Sequence, residues 1–196
     1  MNSKNISYEI IAREIPSVIR NCSKCKRNTE FYCSEKFRVN ANQKMVDVWL
    51  IYNCVCCEST WNYPIYSRVH VNKINSELHK KFMGNDKSTI WHYAFQISRL
   101  RNLCSDVNTE ICYELRKEKE LQSMMQNTTI SIRSQYEFGL RLDKLLAEIL
   151  GVSRTKIATF VQDGLLVLPP HVKPKSKVVD HLHIAIIGNW YADKLK

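Results

Sequence analysis

Apolar and β-branched residues recur in short runs along the first third of the chain. Residues 8–21 form one such run around a proline, and residues 29–33 and 46–52 are rich in β-branched and aromatic side chains. In residues 59–65 the tryptophan and the tyrosine are two positions apart, which places them on one face of a strand. This part of the chain is therefore predicted to consist of strands.

The apolar spacing changes to that of a helix near residue 75. Leu78 and Phe82 predict a short helix that ends at Gly84. A longer apolar stripe follows, and Asp86 can cap its first turn while Cys104 marks its last position. The stripe consists of Ile90, Tyr93, Ala94, Ile97, Leu100 and Cys104. One continuous helix is predicted from this stripe.

Strand-like alternation returns in the middle of the chain. Residues 111–115 alternate between apolar and polar side chains, and residues 130–132 predict a companion strand. The charged run 116–127 between them predicts a loop or a short helix. Leucine and isoleucine then share one helical face in residues 142–150, and Gly151 suits a left-handed helix end.

A second short helix and a few strands complete the predicted elements. Ser153 can cap a helix over residues 154–163, which Gly164 would end. Residues 165–168 predict a strand, two prolines then break it, and residues 178–187 predict one or two returning strands. The last third is thus a helix pair followed by a small sheet.

Two cysteine pairs of C-x2-C spacing lie among the predicted N-terminal strands. Cys22 and Cys25 form the first pair, and Cys54 and Cys57 form the second. A C-x2-C pair at a hairpin turn directs two thiolates at one ion, and two such pairs complete the tetrahedral four-sulfur shell of structural Zn²⁺. The sequence therefore predicts a zinc ribbon with a structural zinc ion.

Other uses of the cysteines stay open at this point. The four could form two disulfides or a redox pair, although a redox C-x-x-C is typical of a βαβ pattern that this segment lacks. Cys56 could replace Cys54 or Cys57 as a ligand, and iron could replace zinc. The cysteines without paired spacing are interpreted as small buried hydrophobic residues: Cys33, Cys104 and Cys112.

Composition narrows the class of protein. Hydrophobic residues make up 44% and charged residues 24% of the 196 positions, as in a globular protein. The first ten residues have no apolar core of a signal peptide, and no run approaches 18 apolar residues. We therefore expect a cytoplasmic protein without a membrane partner, in a compartment where thiols stay reduced.

The net charge of +10 suggests an anionic partner. The excess of Lys and Arg is concentrated in residues 1–75 and 139–196, and residues 76–138 are close to neutral. Excess positive charge favours polyanions, of which nucleic acid is the commonest, although it can also serve solubility alone. A basic, amide-rich turn in the N-terminal part offers possible nucleic-acid contacts at Arg38, Asn40, Asn42 and Lys44, or forms an ordinary turn.

The chain resembles a bacterial family known only as domain of unknown function 1062. The resemblance rests on the stretch FRVNANQKMVDVWLIYNC followed by CESTWN and extends through most of the chain. It implies kinship but no activity.

The run RLDKLLAEILGVSRTKIATFVQDG resembles the RNA-binding domain named after ribosomal protein S-four, over residues 139–187. The resemblance implies a helix pair with a small sheet, with RNA contacts from exposed cations. By position these are Arg141, Lys144, Arg154 and Lys156, joined by Lys175 and Lys177. The usual Val-Asn-Gly turn of that family is replaced here by Val-Leu-Pro-Pro.

These observations favour a binding protein over an enzyme. No Gly-rich phosphate loop, nucleophile elbow or metalloprotease motif is present in the sequence. We predict an α+β chain with a zinc ribbon in residues 1–74, a helix and strand region in 75–138 packed on it, and an S-four-like RNA-binding domain in 139–196. The expected partner is structured RNA, ribosomal or tRNA-like, and the expected function is linked to the ribosome, to tRNA or to RNA quality control. The alternative is a zinc-ribbon adaptor that contacts other proteins or transcription machinery.

Overall fold

The chain divides into two compact units. A computed structural model describes residues 4–118, 127–188 and 190. The terminal unit consists of Met1–Arg13 and Cys112–Lys196, and the inserted unit consists of Glu14–Ile111. Each unit is built on one five-stranded sheet.

Strands account for most of the regular structure in the described residues. In chain order the strands are β1 (Lys4–Ala12), β2 (Ser17–Cys22), β3 (Arg27–Asn42), β4 (Met45–Cys54), β5 (Thr60–His70), β6 (Asp106–Asn108), β7 (Tyr113–Lys117), β8 (Asn127–Ser134), β9 (Leu166–Val167) and β10 (Leu182–Ile187). The α-helices are α1 (Ser76–Met83), α2 (Lys87–Ala94), α3 (Ile97–Arg101), α4 (Leu142–Leu150) and α5 (Arg154–Gln162). In the described ranges, every helix is too short or too polar to span a lipid bilayer.

The inserted unit buries one face of its sheet under helices. Its strand order is β5-β4-β3-β2-β6, with antiparallel neighbours throughout. Along β4 every second residue from Val46 to Cys54 is buried, because a strand turns alternate side chains to one face. Phe82 of α1, Tyr93 of α2 and Leu100 of α3 belong to the same hydrophobic core as these residues.

The terminal unit is built from both ends of the chain. Its strand order is β7-β1-β8-β10-β9, in which β1 and β8 are parallel and the other neighbours are antiparallel. Ile6 of β1 lies opposite Ile130 of β8, and Ile130 lies opposite Ile184 of β10. All three side chains are fully buried. The buried leucines of α4 add to the apolar interior of the unit: Leu142, Leu145, Leu146 and Leu150.

Most locally encoded elements form as predicted. Gly151 ends α4 with φ of +59°, in the left-handed region that glycine adopts without a steric penalty. Asp86 caps α2 by accepting a hydrogen bond from the backbone N–H of Thr89 at 2.8 Å. The prediction of one helix from Asp86 to Cys104 is wrong, because Gln96 leaves the helical region with ψ of 64° and separates α2 from α3.

The predicted pairing of the two middle strands is also wrong. Residues 113–117 and 127–134 do form β7 and β8, but β1 lies between them. The backbone groups on both edges of β1 are paired in this way, which buried N–H and C=O groups require. Residues 119–126 of the charged run lie outside the described residues.

The predicted α+β arrangement of a zinc ribbon, a middle region and an S-four-like domain is wrong. The described residues form two sheets of five strands each. The strands after the C-terminal helix pair, β9 and β10, do not close a separate small sheet. They extend the sheet that contains β1, because β8 pairs with β10 on one edge and with β1 on the other. The unit bounds accordingly differ from the predicted boundaries after residues 74 and 138.

Candidate metal centre and cationic cluster

Four cysteines meet at one end of the inserted sheet. Cys22 is the last residue of β2 and Cys54 is the last residue of β4, while Cys25 and Cys57 lie in the turns that follow these strands. Their four Sγ atoms all lie within 4.8 Å of one another. Each C-x2-C pair thus supplies one cysteine from a strand and one from a turn.

The spacing of the sulfur atoms fits a single ion. The Sγ atoms of Cys22 and Cys57 are 3.6 Å apart, and those of Cys25 and Cys54 are 3.9 Å apart. A tetrahedral shell with metal–sulfur bonds of about 2.3 Å separates its sulfurs by about 3.8 Å. A disulfide would need an S–S distance of about 2.05 Å, so the two-disulfide alternative does not fit. The cluster can therefore hold a metal ion.

Hydroxyl groups surround the sulfur atoms. Ser59 Oγ lies 3.1 Å from the Sγ atoms of both Cys22 and Cys57, and Thr29 Oγ1 lies 3.3 Å from the Sγ of Cys54. Hydrogen bonding with Ser59 lowers the pKa of Cys22 to about 5, and hydrogen bonding with Thr29 lowers the pKa of Cys54. Thiolates, the form that binds metal, are therefore favoured at these two positions.

Cys56 stays outside the sulfur cluster. Its side chain is exposed, and its Sγ lies 4.0 Å from Nη2 of Arg27. The cluster that can hold an ion contains Cys57 instead, which keeps the symmetric spacing. Of the other cysteines, Cys33 is half-buried, and burial raises its pKa to about 12. Cys112 is exposed, so its interpretation as a buried hydrophobic residue is wrong.

In the terminal unit, the buried carboxylate of Asp143 binds two arginines that were predicted to contact RNA. Asp143 Oδ2 accepts hydrogen bonds from Nη2 of Arg141 at 2.7 Å and from Nη2 of Arg154 at 3.2 Å. The side chain of Asp143 is 8% exposed, whereas those of Arg141 and Arg154 are 39% and 49% exposed. The two guanidinium groups therefore lie side by side with part of each facing solvent.

The loop of residues 173–177 brings further cations to the same place. The backbone N–H groups of Leu142 and Asp143 donate to the carbonyls of Ser176 and Pro174. These bonds lay the loop along the first residues of α4. We call the resulting group the cationic cluster, and its members are Arg141, Arg154, Lys173, Lys175 and Lys177.

The remaining predicted contacts are not hydrogen-bonded to Asp143 in the described residues. The ammonium groups of Lys144 and Lys156 lie over aromatic rings, 6.0 Å from the ring centroid of Tyr113 and 5.8 Å from that of Phe160. The four predicted tip residues belong to the inserted unit, where they are exposed on the hairpin of β3 and β4 and its turn: Arg38, Asn40, Asn42 and Lys44.

The sequence analysis missed the residues that hydrogen-bond to the four cysteines and to the arginines of the cationic cluster. Asp143 follows Arg141 by two positions at the start of α4, but its hydrogen bond to Arg154 depends on how the two helices pack. Thr29 and Ser59 are ordinary strand and turn residues in the sequence. Arg20, a half-buried residue of β2, stands two positions before Cys22 in the strand and so shares its face, which the sequence alone indicates.

The described residues define a two-unit, largely β-sheet protein with a four-cysteine site that can hold a metal ion. The chain belongs to the family described as Protein of unknown function (DUF1062), which matches residues 39–171. The matched segment contains Cys54 and Cys57 and begins after Cys22 and Cys25. No curated protein and no solved structure matches the chain.

Proposed function

We propose that the protein binds RNA without catalysing a reaction, and that a structural Zn²⁺ ion stabilises its inserted unit. The RNA part of the proposal is supported chiefly by one observation, the hydrogen bonds that hold Arg141 and Arg154 on Asp143 beside the lysines of residues 173–177. The zinc part is supported by the sulfur geometry.

The sulfur cluster suits a structural zinc ion better than a catalytic one. Four thiolates fill a tetrahedral shell and leave no position for a water molecule, which a catalytic zinc site needs. Tetrahedral four-sulfur sites hold zinc or iron, and zinc, which has no redox chemistry, suits a purely structural role. Elemental analysis of purified protein is expected to find one zinc ion per chain. A stoichiometric amount of iron in its place would contradict the zinc assignment.

The cationic cluster has the chemistry of a phosphate-binding surface. Arginine presents a planar fork of donors that matches phosphate oxygens, and lysine adds a mobile point charge. The carboxylate of Asp143 offsets one of the five positive charges, so a net positive charge remains. Several phosphates of one RNA can therefore be neutralised together, with release of their counterions.

Structured RNA is the partner that this surface favours. The deep, narrow major groove of A-form RNA does not admit side chains, so cations on a rigid surface contact its phosphates and recognise its shape. Sequence-specific contacts are not required for such binding. The exposed hairpin residues Arg38 and Lys44 of the inserted unit are proposed as a second, weaker contact.

Fluorescence anisotropy with a labelled RNA hairpin tests the proposal. The wild-type protein is expected to bind and to lose affinity steeply between 50 and 200 mM salt, by about a factor of ten or more. The triple variant K173E/K175E/K177E is expected to bind at least about tenfold more weakly. A matched control, K80E/K87E/R101E, makes the same change of charge at exposed cations on the helices of the inserted unit.

Two outcomes contradict RNA binding at the cationic cluster. The wild-type protein could fail to bind the hairpin at low salt, or the two triple variants could bind it equally well. The adaptor function would be favoured instead if the protein bound no RNA but bound a protein partner with an affinity that does not change with salt.

A further inference from the structure

Arg20 places a positive charge inside the inserted unit, next to the sulfur cluster. It is the third residue from the end of β2, and the side chains two positions before and after it, Val18 and Cys22, are both buried. The alternation of a strand turns Arg20 to the same face as these two residues. The face that carries a metal ligand thus also carries a guanidinium group.

Aromatic rings hold the guanidinium group in place. Its central carbon lies 4.2 Å from the ring centroid of Trp61 and 5.7 Å from that of Phe31. Trp61 belongs to β5, and Phe31 lies opposite Cys54 in the pairing of β3 with β4. Both contacts therefore fix the cation on the ligand-bearing side of the sheet.

The charge of Arg20 has no acidic partner among the described residues. Its Nε and Nη1 atoms are buried and donate no hydrogen bond within the described ranges, and no ion pair of Arg20 is found there. Arg20 is half-buried, and a cation that has lost part of its hydration is stabilised by a nearby negative charge.

The neighbouring thiols supply that negative charge. Cys22 lies two positions from Arg20 on the same face of β2, and Phe31, which contacts the guanidinium group, is paired with Cys54. With a divalent ion bound, the four thiolates would carry a net charge of −2. The negative charge on this face of the sheet therefore belongs to the metal centre.

We propose that Arg20 is an electrostatic support of the metal centre, whose positive charge offsets the excess negative charge of the thiolates and increases metal affinity. This inference rests on the proposed zinc site but not on RNA binding. The interaction acts through space, because neither buried nitrogen hydrogen-bonds to a sulfur atom. Arg20 is thus a positioning and charge-compensating residue, and the four cysteines remain the ligands.

Zinc affinity measured by competition with a chromophoric chelator tests the proposal on the full chain. The variant R20M keeps an unbranched side chain against Trp61 but removes the charge, and it is expected to bind Zn²⁺ about tenfold more weakly, as supporting residues of metal sites typically do. The variant R20K restores the charge and is expected to recover most of the affinity. A control, R68M, removes an exposed arginine of the same sheet and is expected to leave zinc affinity unchanged.

The reduction potential of the iron-loaded protein distinguishes an effect of the charge of Arg20 from an effect of its packing. With iron in place of zinc, the centre changes from a net charge of −1 to −2 on reduction, so a nearby cation stabilises the reduced form. The reduction potential is expected to fall in R20M and to return toward the wild-type value in R20K. A residue that serves packing alone would not produce this direction of change or its recovery by lysine.

The possible results are distinct. If the wild-type protein binds no metal, the zinc proposal fails and the role of Arg20 fails with it. If the wild type binds zinc and R20M binds it equally well, only the role of Arg20 is overturned. Equal losses in R20M and R20K, with no change in the potential, would also overturn it, because charge would then not be the cause.

Discussion

Asp143 and Arg154 are joined by a hydrogen bond of 3.2 Å between Oδ2 and Nη2, although they lie on different helices. The same carboxylate also binds Arg141 through both of its oxygens. Asp143 is nearly inaccessible to solvent, whereas both arginines are partly exposed. A single buried charge therefore fixes the orientation of two cations at the surface, and this arrangement leads to the first two predictions.

Replacement of Asp143 by asparagine is expected to destabilise the protein. The D143N variant keeps the size of the side chain but leaves two arginines without their anion, which should lower the free energy of unfolding by about 1–3 kcal/mol. Urea unfolding at neutral pH measures the change. The control D163N removes an exposed carboxylate after α5 and is expected to change stability by less than about 0.5 kcal/mol. Equal effects of the two substitutions would contradict a special role for Asp143.

The contribution of Asp143 to the free energy of unfolding is expected to depend on pH. Burial raises the pKa of this carboxyl group, but the hydrogen bonds from Arg141 and Arg154 outweigh it, and the pKa is lowered overall. A lowered pKa in the folded state stabilises the protein above the unfolded value of about 3.9. This stabilisation is lost as the pH falls through the folded pKa. The stability difference between wild type and D143N should therefore be constant from pH 5 to 8 and shrink below about pH 4.

Loss of one ligand is expected to remove the metal ion. The C54S variant replaces a buried thiolate with a hydroxyl group that binds metal poorly, so purified protein should contain far less than one ion per chain, and its inserted unit should unfold at a lower temperature. Elemental analysis and thermal unfolding measure these effects. The neighbouring C56S variant should keep its metal, because Cys56 lies outside the sulfur cluster. Equal metal loss in both variants would assign Cys56 to the site.

Removal of the hydroxyl group of Ser59 is expected to weaken metal binding. Ser59 lies within hydrogen-bonding distance of two sulfur atoms and lowers the pKa of Cys22, so S59A makes the thiolate more costly to form. Supporting residues of this kind typically change metal affinity by about tenfold or more. Chelator competition at pH 7 measures the change. The S67A variant, at an exposed serine of β5, should bind metal like the wild type.

Substitution of Gly151 by alanine is expected to strain the end of α4. Its φ of +59° is unfavourable for any residue with a Cβ atom, although a Cβ at this position would lie more than 4 Å from every atom beyond the adjacent residues and helix backbone. The G151A variant should therefore lose about 1 kcal/mol of stability through backbone strain rather than through a clash. Thermal or urea unfolding tests this value. A gain in stability would show that the backbone relaxes away from the left-handed conformation.

The local elements were largely predictable because their causes lie within a few residues. The leucine stripe of residues 142–150 and Gly151 define α4 and its end, and Asp86 caps α2 as its position indicates. The four cysteines of the candidate metal site were predictable for the same reason, since the spacing within each C-x2-C pair fixes which thiols share a turn. The zinc ion itself and RNA binding remain predictions.

The sequence by itself determined the alternation of β4, the ends of α4 and the four cysteines, because hydrophobic period, turn residues and short spacing act over a few positions. Only the tertiary structure decided that β1 joins β8 and β7, that Asp143 binds two arginines, and that the guanidinium group of Arg20 lies over the ring of Trp61. These contacts connect residues distant in the chain, and they follow from burying whole faces and pairing every strand edge, a condition that no local pattern expresses.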